Sequence, residues 1–426
     1  MNRNRIASAD VIVVGAGPAG STTAYELAQA GANVIVLEEH NQVGSPCHCA
    51  GLVSPRTLEL AGIEPGRLVL RSYSRARIWG PLESVAWLES NRTQVVAIDR
   101  PNLDGHLAAR AEDAGARIWL GVRMEALERV NGVIQVTAAN GKGPERLQAP
   151  IIIGADGALS NVAHCLNGKT NNVMMNAVKA EVRFTNGGTN VIEVFVGNEI
   201  APGWFGWVIP LDDGYARLGL GGSTRDMGQC FEAFLKLVRD RFGVFEVLSR
   251  RGWLIPFKPA YHIAFDNGLL VGDAARQSKP SSGGGIYMGM QAGVLAAQVA
   301  LEALGCGDPG YRTMQCYEKT WLEEEGDELR YNYWLRSIFN SMSDAEIDGL
   351  VALCNRSWAR HLISRLGDID FVSHLFRPVH MALETVGPRL LRRLGDRLQH
   401  SSIESLEEDL DSLELDPEAL LKGIER

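Results

Sequence analysis

The sequence predicts an α/β fold in which a βαβ-based domain is interrupted by a mixed β-sheet domain and followed by a helical C-terminal region. Three observations predict it. A short apolar run, Val11 to Val14, leads into a glycine-rich turn and a helical pattern; two similar runs much later also end in glycine-rich turns; and turn residues separate the apolar runs between them. Short β-branched runs of this kind are typical of parallel strands that are buried on both faces.

The first element predicts a bound dinucleotide. Gly15-Ala16-Gly17-Pro18-Ala19-Gly20 follows the first strand, and a second strand, Val34 to Leu37, ends at Glu38. The first glycine permits a tight turn, the second lets a pyrophosphate approach the backbone, and the third lets helix and strand pack closely. The helix N-terminus offers free N–H groups to the phosphates, and the terminal carboxylate can accept both hydroxyls of an adenosine ribose. These residues do not distinguish between FAD and NAD as the bound dinucleotide.

Two distant motifs narrow the choice. Ile151 to Ile153 precedes Gly154-Ala155-Asp156-Gly157, and Leu269 to Val271 precedes Gly272-Asp273-Ala274-Ala275, with Pro280 and Gly283-Gly284-Gly285 beyond. The later motif resembles the second flavin-binding fingerprint of the p-hydroxybenzoate hydroxylase-like superfamily. The resemblance implies FAD in a Rossmann-like domain, with Asp273 bonded to the ribityl chain and the Gly285-Ile286 backbone facing the pyrimidine edge of the flavin. Taken alone, the glycine run also fits a flexible loop.

Two weaker positions follow from the same resemblance. Asp99-Arg100-Pro101 precedes a helical pattern at about the place where this superfamily has an arginine that touches FAD, which implies Arg100. Asp104, a few residues later, fits a plain helix cap equally well. Met124 follows the strand Arg117 to Leu120, where the superfamily packs backbone against adenine.

A cysteine-containing segment follows the ribose strand. Pro46-Cys47-His48-Cys49-Ala50-Gly51-Leu52 resembles the place where geranylgeranyl reductases carry a cysteine and small residues against the flavin. The resemblance is strongest at Cys49-Ala50 and extends to Leu52, and it makes Cys49 the candidate proton donor or flavin-shielding thiol. Buried inert thiols are the alternative. No metal is predicted, because a metal site needs three or four converging ligands.

An aromatic segment supplies the second likeness to that family. Pro202-Gly203-Trp204-Phe205-Gly206-Trp207-Val208-Ile209-Pro210, followed after eight residues by Gly219-Leu220-Gly221, resembles the reductases' Tyr-x-Trp-x-Phe-Pro and Gly-x-Gly pattern. It implies that Trp204, Phe205, Trp207, Ile209 and Pro210 line a substrate cavity. Phe205 and Ile209 replace the family's Tyr and Phe, which removes one hydroxyl and keeps the wall apolar. An aromatic strand inside a core remains the alternative.

The predicted FAD-binding domain comprises segments near 8–70, 95–170 and 262–310. A mixed β substrate-binding domain covers 71–94 and 171–261, where turns at Asn186-Gly187-Gly188 and Asp212-Asp213-Gly214 favour antiparallel hairpins. A helical region covers 311–426. Its arginines lie among leucines and fit either a membrane-surface helix or a solvated face: Arg389, Arg392, Arg393 and Arg397.

The composition limits the cellular location and the binding partners that can be expected. The formal charge is −9, which gives no reason to expect nucleic acid binding. The seven cysteines lack the regular spacing of a disulfide framework, which indicates a reducing compartment. The polar start of the chain leaves no room for a signal peptide. The apolar stretch from Met288 to Leu304 contains Gln and Glu and is rich in small residues, so we expect an interior helix. We therefore expect a cytoplasmic protein, with peripheral contact at the inner face of the membrane left open.

The resemblances together imply an FAD-dependent reductase that saturates geranylgeranyl double bonds on a lipid or diphosphate. Its external electron donor would be ferredoxin or NAD(P)H, because no second GxGxxG indicates a nicotinamide site. A monooxygenase or halogenase of the same superfamily acting on an aromatic substrate is the alternative. Halogenases need a lysine near the start of the chain, and this sequence has none before Lys142. A prenyl-chain or lipid carrier that keeps flavin only for structure is a third hypothesis.

Overall fold

The structure is a computed structural model that describes residues 6–64, 66–141, 143–168, 173–224 and 226–375. The C-terminal arginines considered above, Arg389 to Arg397, lie outside the described residues.

Strands outnumber helices before Ile286, and the described chain from Ile286 onward is helical. The strands are β1 (Ala7–Ser8), β2 (Val11–Val14), β3 (Val34–Glu38), β4 (Leu52–Val53), β5 (Val69–Tyr73), β6 (Arg75–Trp79), β7 (Val85–Glu89), β8 (Val95–Ile98), β9 (Arg117–Leu120), β10 (Arg123–Val130), β11 (Val133–Ala139), β12 (Pro144–Ala149), β13 (Ile151–Gly154), β14 (Met174–Phe184), β15 (Ile192–Val196), β16 (Phe205–Pro210), β17 (Tyr215–Gly222), β18 (Phe245–Pro256), β19 (Ala264–Phe265) and β20 (Gly268–Leu270). The helices are α1 (Pro18–Gln29), α2 (Pro55–Leu60), α3 (Arg100–Asp113), α4 (Asn161–Asn167), α5 (Met227–Phe242), α6 (Ile286–Cys306), α7 (Tyr311–Glu324), α8 (Gly326–Ser341), α9 (Asp344–Leu353) and α10 (Ser357–Leu366), with a 3₁₀ turn at Gly272–Ala275.

The described chain forms two compact units that interleave along the sequence. Unit 1 comprises the described residues of 6–71, 96–179 and 251–333. Unit 2 comprises the described residues of 72–95, 180–250 and 334–375. The assignment of a cofactor-binding and a substrate-binding role to separate domains, with the limits given above, stays a prediction.

Unit 1 is built on a six-stranded sheet with the order β19-β20-β13-β2-β3-β9. Its β20, β13, β2, β3 and β9 pair in parallel, and only β19 runs antiparallel. Every residue of Val11–Val14 and Ile151–Gly154 is buried, as expected for central parallel strands covered on both faces. The predicted α/β architecture is confirmed, and it places the glycine turn after β2, the end of β13 and the turn after β20 at the same edge of the sheet.

Helix α6 packs against α1 through small residues. A Cβ at Gly293 would lie 2.8 Å from both the Ala19 carbonyl oxygen and the Thr23 hydroxyl oxygen, so only glycine allows this approach. Ten of its residues are buried, which agrees with the expected interior helix. Among the described residues, no helix has both the length and the apolar character needed to cross a bilayer.

A seven-stranded sheet, with the order β18-β14-β17-β16-β15-β6-β7, supplies most of unit 2. The predicted hairpin at Asp212-Asp213-Gly214 is confirmed, because β16 pairs antiparallel with β17 and both Asp213 and Gly214 have positive φ angles. The buried Glu193 carboxylate is held there by Arg77 Nε at 2.8 Å and Trp79 Nε1 at 2.7 Å.

The hairpin predicted at Asn186-Gly187-Gly188 is wrong. The strands on either side of this turn, β14 and β15, are not neighbours in the sheet. The turn instead lies against the end of α5, where the Gly188 N–H donates to the Phe242 carbonyl at 2.6 Å. A Cβ at Gly187 would lie 2.1 Å from that same oxygen, so the glycines serve close backbone packing.

Candidate flavin site and aromatic strand

The three glycines of the turn after β2 differ in what surrounds them. Gly15 has φ +99°, and a Cβ there would lie 2.4 Å from the Ala155 carbonyl oxygen; a Cβ at Gly20 would lie 2.0 Å from the Gly15 oxygen. Gly17, by contrast, has an ordinary φ of −68°, and a Cβ there would meet no atom within 4 Å. Close protein contacts therefore require glycine at positions 15 and 20, whereas no protein atom near Gly17 excludes a larger residue there.

Glu38 ties this turn to the end of β3. Its Oε2 accepts the Ala16 N–H at 2.9 Å, and its Oε1 accepts the His40 backbone N–H at 2.9 Å and lies 2.7 Å from His40 Nδ1. The carboxylate is almost fully buried beside the turn, where the sequence prediction placed it. His40 was missed, because a lone histidine after a strand carries no pattern.

The first and last motifs meet in unit 1. A Cβ at Gly272, which has φ +64°, would lie 3.0 Å from the Ala19 Cβ, and one at Gly289 would lie 3.4 Å from it. Just beyond, the Asp273 Oδ1 lies 3.1 Å from the position of a Cβ on Gly285, the N-cap of α6. Ala19, Asp273 and Gly285 thus belong to one neighbourhood although the chain separates them widely.

Burial raises the pKa of Asp273 to about 6, and Arg100 pulls it in the opposite direction. Arg100 is the first residue of α3 and forms a bidentate ion pair with Asp104, with both N–O distances 3.0 Å. Burial opposes the charge of Arg100, but the Asp104 carboxylate beside it raises its pKa above the usual value. Asp104 is not a helix cap, since Asp99 accepts the Asn102 N–H at 3.3 Å and caps α3.

The cysteine segment lies against the start of α3. A Cβ at Gly44 would lie 2.9 Å from the Pro101 Cα, which brings the loop after β3 to the first turn of that helix. The Cys49 Sγ accepts the Gly51 N–H at 3.3 Å, Ala50 is half-buried, and Leu52 begins β4.

A buried lysine contacts the same segment. Lys179 Nζ donates to the Cys49 carbonyl at 2.9 Å and lies 3.9 Å from the Cys47 Sγ. Burial, followed by Arg251 and Lys179, lowers the pKa of His48. Neither Lys179 nor Arg251 was predicted from the sequence. Lys179 could have been found, because it is a lysine at a buried position in the alternating pattern of β14.

The remaining predicted cofactor residues have plain structural positions. Met124 is buried at a bulge in β10, and its carbonyl accepts from the Asn161 side chain at 3.3 Å. Asp156 accepts the Asn161 N–H at 2.8 Å and the Val162 N–H at 3.1 Å, so it stabilises the start of α4. Ile286 begins α6 and packs on the apolar cluster that contains Met290. The contact of Met124 and Ile286 with a cofactor stays a prediction, and none was predicted for Asp156.

The aromatic segment of unit 2 forms a cluster at β16. Ring centroids lie 4.6 Å apart for Trp204 and Phe205, 5.8 Å for Phe205 and Trp207, and 6.2 Å for the two tryptophans. Strand alternation puts Phe205, Trp207 and Ile209 on one face and Pro210 on the other.

The Gly-x-Gly part of the motif has a packing reason. A Cβ at Gly219 would lie 2.0 Å from Trp207 Cζ2, and one at Gly221 would lie 1.7 Å from Trp204 Cε3. Both indoles therefore rest directly on the backbone of β17, and the two glycines are required by the tryptophans.

We expect Gly219→Ala to destabilise the protein by about 1–3 kcal/mol, because the new methyl group overlaps the Trp207 ring in a packed interior. Adding Trp207→Leu should recover part of that loss, since the smaller side chain vacates the overlap. Urea unfolding of the two single variants and the double variant measures the coupling. Additive losses would contradict direct contact between the two residues.

Arg336 of α8 belongs to this cluster as well. It is 3% exposed, and its guanidinium carbon lies 5.7 Å from the centre of the Trp204 ring. Burial lowers the pKa of Arg336 to about 9. The sequence predicted only a helical region here and did not single out this cation.

The residues of unit 1 fit FAD. Of the three glycines in the first turn, Gly17 alone faces open space, where an added Cβ would meet no protein atom within 4 Å. Helices α1 and α6 both begin at glycine N-caps without side-chain capping, which leaves their first N–H groups for an anion. Asp273 offers a carboxylate between them.

Comparison with known proteins agrees with this geometry. The model of the FAD binding domain family matches residues 8–318. Digeranylgeranylglycerophospholipid reductase of Methanothrix thermoacetophila is 32% identical over 353 residues, covering 80% of this chain and 90% of the relative. Digeranylgeranylglycerophospholipid reductase 1 of Methanothermobacter thermautotrophicus is 32% identical over 404 residues, covering 92% and 98%.

A solved structure is similar over nearly the same span. The crystal structure of a geranylgeranyl bacteriochlorophyll reductase-like protein from Thermoplasma acidophilum superposes with a TM-score of 0.79 at 26% identity, covering 92% of this chain and all of that one. The glycine turn, the second fingerprint and these matches lead to one conclusion. This chain belongs to the FAD binding domain family and, within it, to the digeranylgeranylglycerophospholipid reductases.

Proposed function

We propose that the protein is an FAD-dependent reductase that saturates carbon–carbon double bonds of geranylgeranyl chains carried on a lipid or a diphosphate. The observation that carries the proposal is the 32% identity to a digeranylgeranylglycerophospholipid reductase over 353 residues. That match favours the reductase over an aromatic monooxygenase or halogenase.

The reaction places particular demands on the protein. Reduced FAD, when bound, supplies a hydride to one carbon of the alkene, and a proton has to reach the other carbon. An isolated alkene develops no oxyanion that hydrogen-bond donors could stabilise. The protein therefore contributes binding, alignment and the exclusion of water.

Unit 1 supplies the groups that would bind the cofactor. The open space at Gly17 suits the pyrophosphate, Glu38 suits the ribose hydroxyls, and Asp273 suits the ribityl chain. Arg100 keeps its orientation through the bidentate pair with Asp104, so its charge stays beside Asp273.

Cys49 is the proposed proton donor or flavin-shielding thiol. Because its sulfur accepts the Gly51 N–H at 3.3 Å, the sulfur is held in place while its own proton remains free to be donated elsewhere. No carboxylic acid of this segment competes for the role, since Pro46 to Leu52 contains none.

The cluster at β16 is the proposed surface for the hydrocarbon. Trp204, Phe205, Trp207 and Ile209 would form an apolar wall, and Phe205 in place of the family's tyrosine leaves that wall without a hydroxyl. Arg336 lies at the same cluster, with its guanidinium group beside the Trp204 ring.

The direct test uses purified protein loaded with FAD and reduced by dithionite. We expect a geranylgeranyl lipid to gain hydrogens in pairs, as read by mass spectrometry, and Cys49→Ala to slow that gain more than Cys306→Ala, which changes an exposed thiol at the end of α6. Bound, reduced FAD with no gain on any geranylgeranyl lipid or diphosphate would contradict the proposal.

An external donor and a membrane-borne substrate complete the proposal. A chain carried on a membrane lipid has to be reached at the membrane surface, so peripheral membrane contact is included. Replacing dithionite by reduced ferredoxin or by NAD(P)H in the same assay identifies the donor. If neither reduced ferredoxin nor NAD(P)H supports turnover, both are excluded as the electron donor.

A further inference from the structure

Lys179 occupies a position that the strand pattern reserves for an apolar residue. Met175, Ala177 and Lys179 alternate along β14, and they are 4%, 2% and 2% exposed, respectively. Burial of an ammonium group costs several kcal/mol unless polar partners compensate it. The contacts of its Nζ are therefore the place to look for a role of Lys179.

Those contacts belong to the cysteine segment. Lys179 Nζ donates to the Cys49 carbonyl at 2.9 Å and lies 3.9 Å from the Cys47 sulfur, although 132 residues separate it from Cys47. The Cys47 Sγ in turn lies 3.8 Å from the Cys49 carbonyl oxygen. One ammonium group thus contacts both ends of the short turn that carries the proposed thiol.

The charges that face Cys47 come from two elements besides its own loop. Lys179 of β14 and Arg100 of α3 are positive, Asp104 of α3 is negative and paired with Arg100, and Cys49 is the neighbouring thiol. Burial raises the pKa of Cys47, and Lys179 is the largest opposing influence, ahead of Arg100. Removing the Lys179 charge would therefore leave burial less opposed.

We propose that Lys179 is a positioning residue that holds the Cys47–Cys49 turn through the Cys49 carbonyl and controls the ionisation of the Cys47 thiol. Cys47 thereby becomes a second thiol of the site, whose proton is set by a cation from a distant strand. The effect on turnover rests on the proposed function, whereas the effect on Cys47 ionisation does not.

Alkylation of Cys47 by iodoacetamide tests this without a turnover assay. Rates are followed between about pH 7 and pH 10 in FAD-loaded and FAD-free protein, with Cys47 and Cys49 resolved by peptide fragment masses. Lys179→Gln keeps an N–H donor but removes the charge, Lys179→Arg keeps the charge, and the exposed Cys306 and Cys316 are internal controls.

We expect Lys179→Gln to move the alkylation curve of Cys47 upward by about one pH unit, which is about a tenfold lower rate below the midpoint. Lys179→Arg should stay near the wild-type curve, and the control thiols should not change. A Lys179→Gln curve that coincides with the wild type would overturn the proposal. Failure of both variants to fold would also overturn it, because Lys179 would then have a structural role only.

The turnover assay separates this inference from the proposed function. If the alkylation curve shifts and Lys179→Gln also slows alkene reduction while Lys179→Arg restores it, both hold. If the curve shifts in a protein that reduces no geranylgeranyl substrate, the inference about Cys47 stands and the proposed function fails.

Discussion

Replacing Gly17 by alanine is expected to lower the affinity for FAD by about 10- to 100-fold while changing the free energy of unfolding by less than about 0.5 kcal/mol. Gly17 has an ordinary φ of −68°, and its Cβ would meet no protein atom within 4 Å. The methyl group would occupy the space where a pyrophosphate has to approach the backbone. Fluorescence titration of FAD-free protein measures the affinity, and urea unfolding measures the stability.

Gly20→Ala is the matched control. A Cβ at Gly20 would lie 2.0 Å from the Gly15 carbonyl oxygen and 3.0 Å from the Ala155 Cβ, so the protein itself has to move. We expect a loss of about 1–3 kcal/mol in the free energy of unfolding for this variant even without FAD. If Gly17→Ala and Gly20→Ala lose equal stability, the glycine at position 17 is required by the protein itself and not by a ligand.

The contrast between these glycines shows what local pattern can predict. The sequence placed β2 at Val11–Val14 and β9 at Arg117–Leu120, and the structure has the same bounds. Apolar runs of β-branched residues and glycine turns report constraints that act within a few residues. The dinucleotide turn is local in this sense, and the residues of the turn and its two flanking strands were therefore enough to recognise it.

Positions that depend on distant parts of the chain were missed. Lys179 reaches Cys47 across 132 residues, and the turn at Gly187 packs on the end of α5 instead of closing a hairpin. Side-chain choice at such positions follows from tertiary contacts, which a single sequence does not display.

Asp273→Asn is expected to stabilise the FAD-free protein and to weaken FAD binding at the same time. Burial raises the pKa of Asp273 to about 6, from an ordinary value of 3.8. The native state therefore holds this proton more tightly than the unfolded state, and stability is lost as pH rises from about 4 to about 6. Above that range, the ionised carboxylate costs the FAD-free protein about 2 kcal/mol, with partial solvent exposure taken into account.

An asparagine has nearly the same shape and no charge to bury. FAD-free Asp273→Asn should match the wild type near pH 4 and should be about 2 kcal/mol more stable at pH 8, as measured by urea unfolding across that range. Its FAD affinity should fall by about 10- to 100-fold, because a hydrogen bond to a charged acceptor is replaced by one to a neutral acceptor. Asp113→Asn, at the exposed end of α3, is the control and should change neither quantity.

The two measurements have to move in opposite directions for the interpretation to hold. A carboxylate that destabilises the empty fold and strengthens cofactor binding is retained for the cofactor, since the fold alone would favour its loss. Parallel pH–stability curves for the wild type and Asp273→Asn would show that the charge of Asp273 is not buried at a cost. Unchanged FAD affinity would show that Asp273 lies outside the cofactor site, and the convergence of Ala19, Gly272 and Gly285 would then serve helix packing alone.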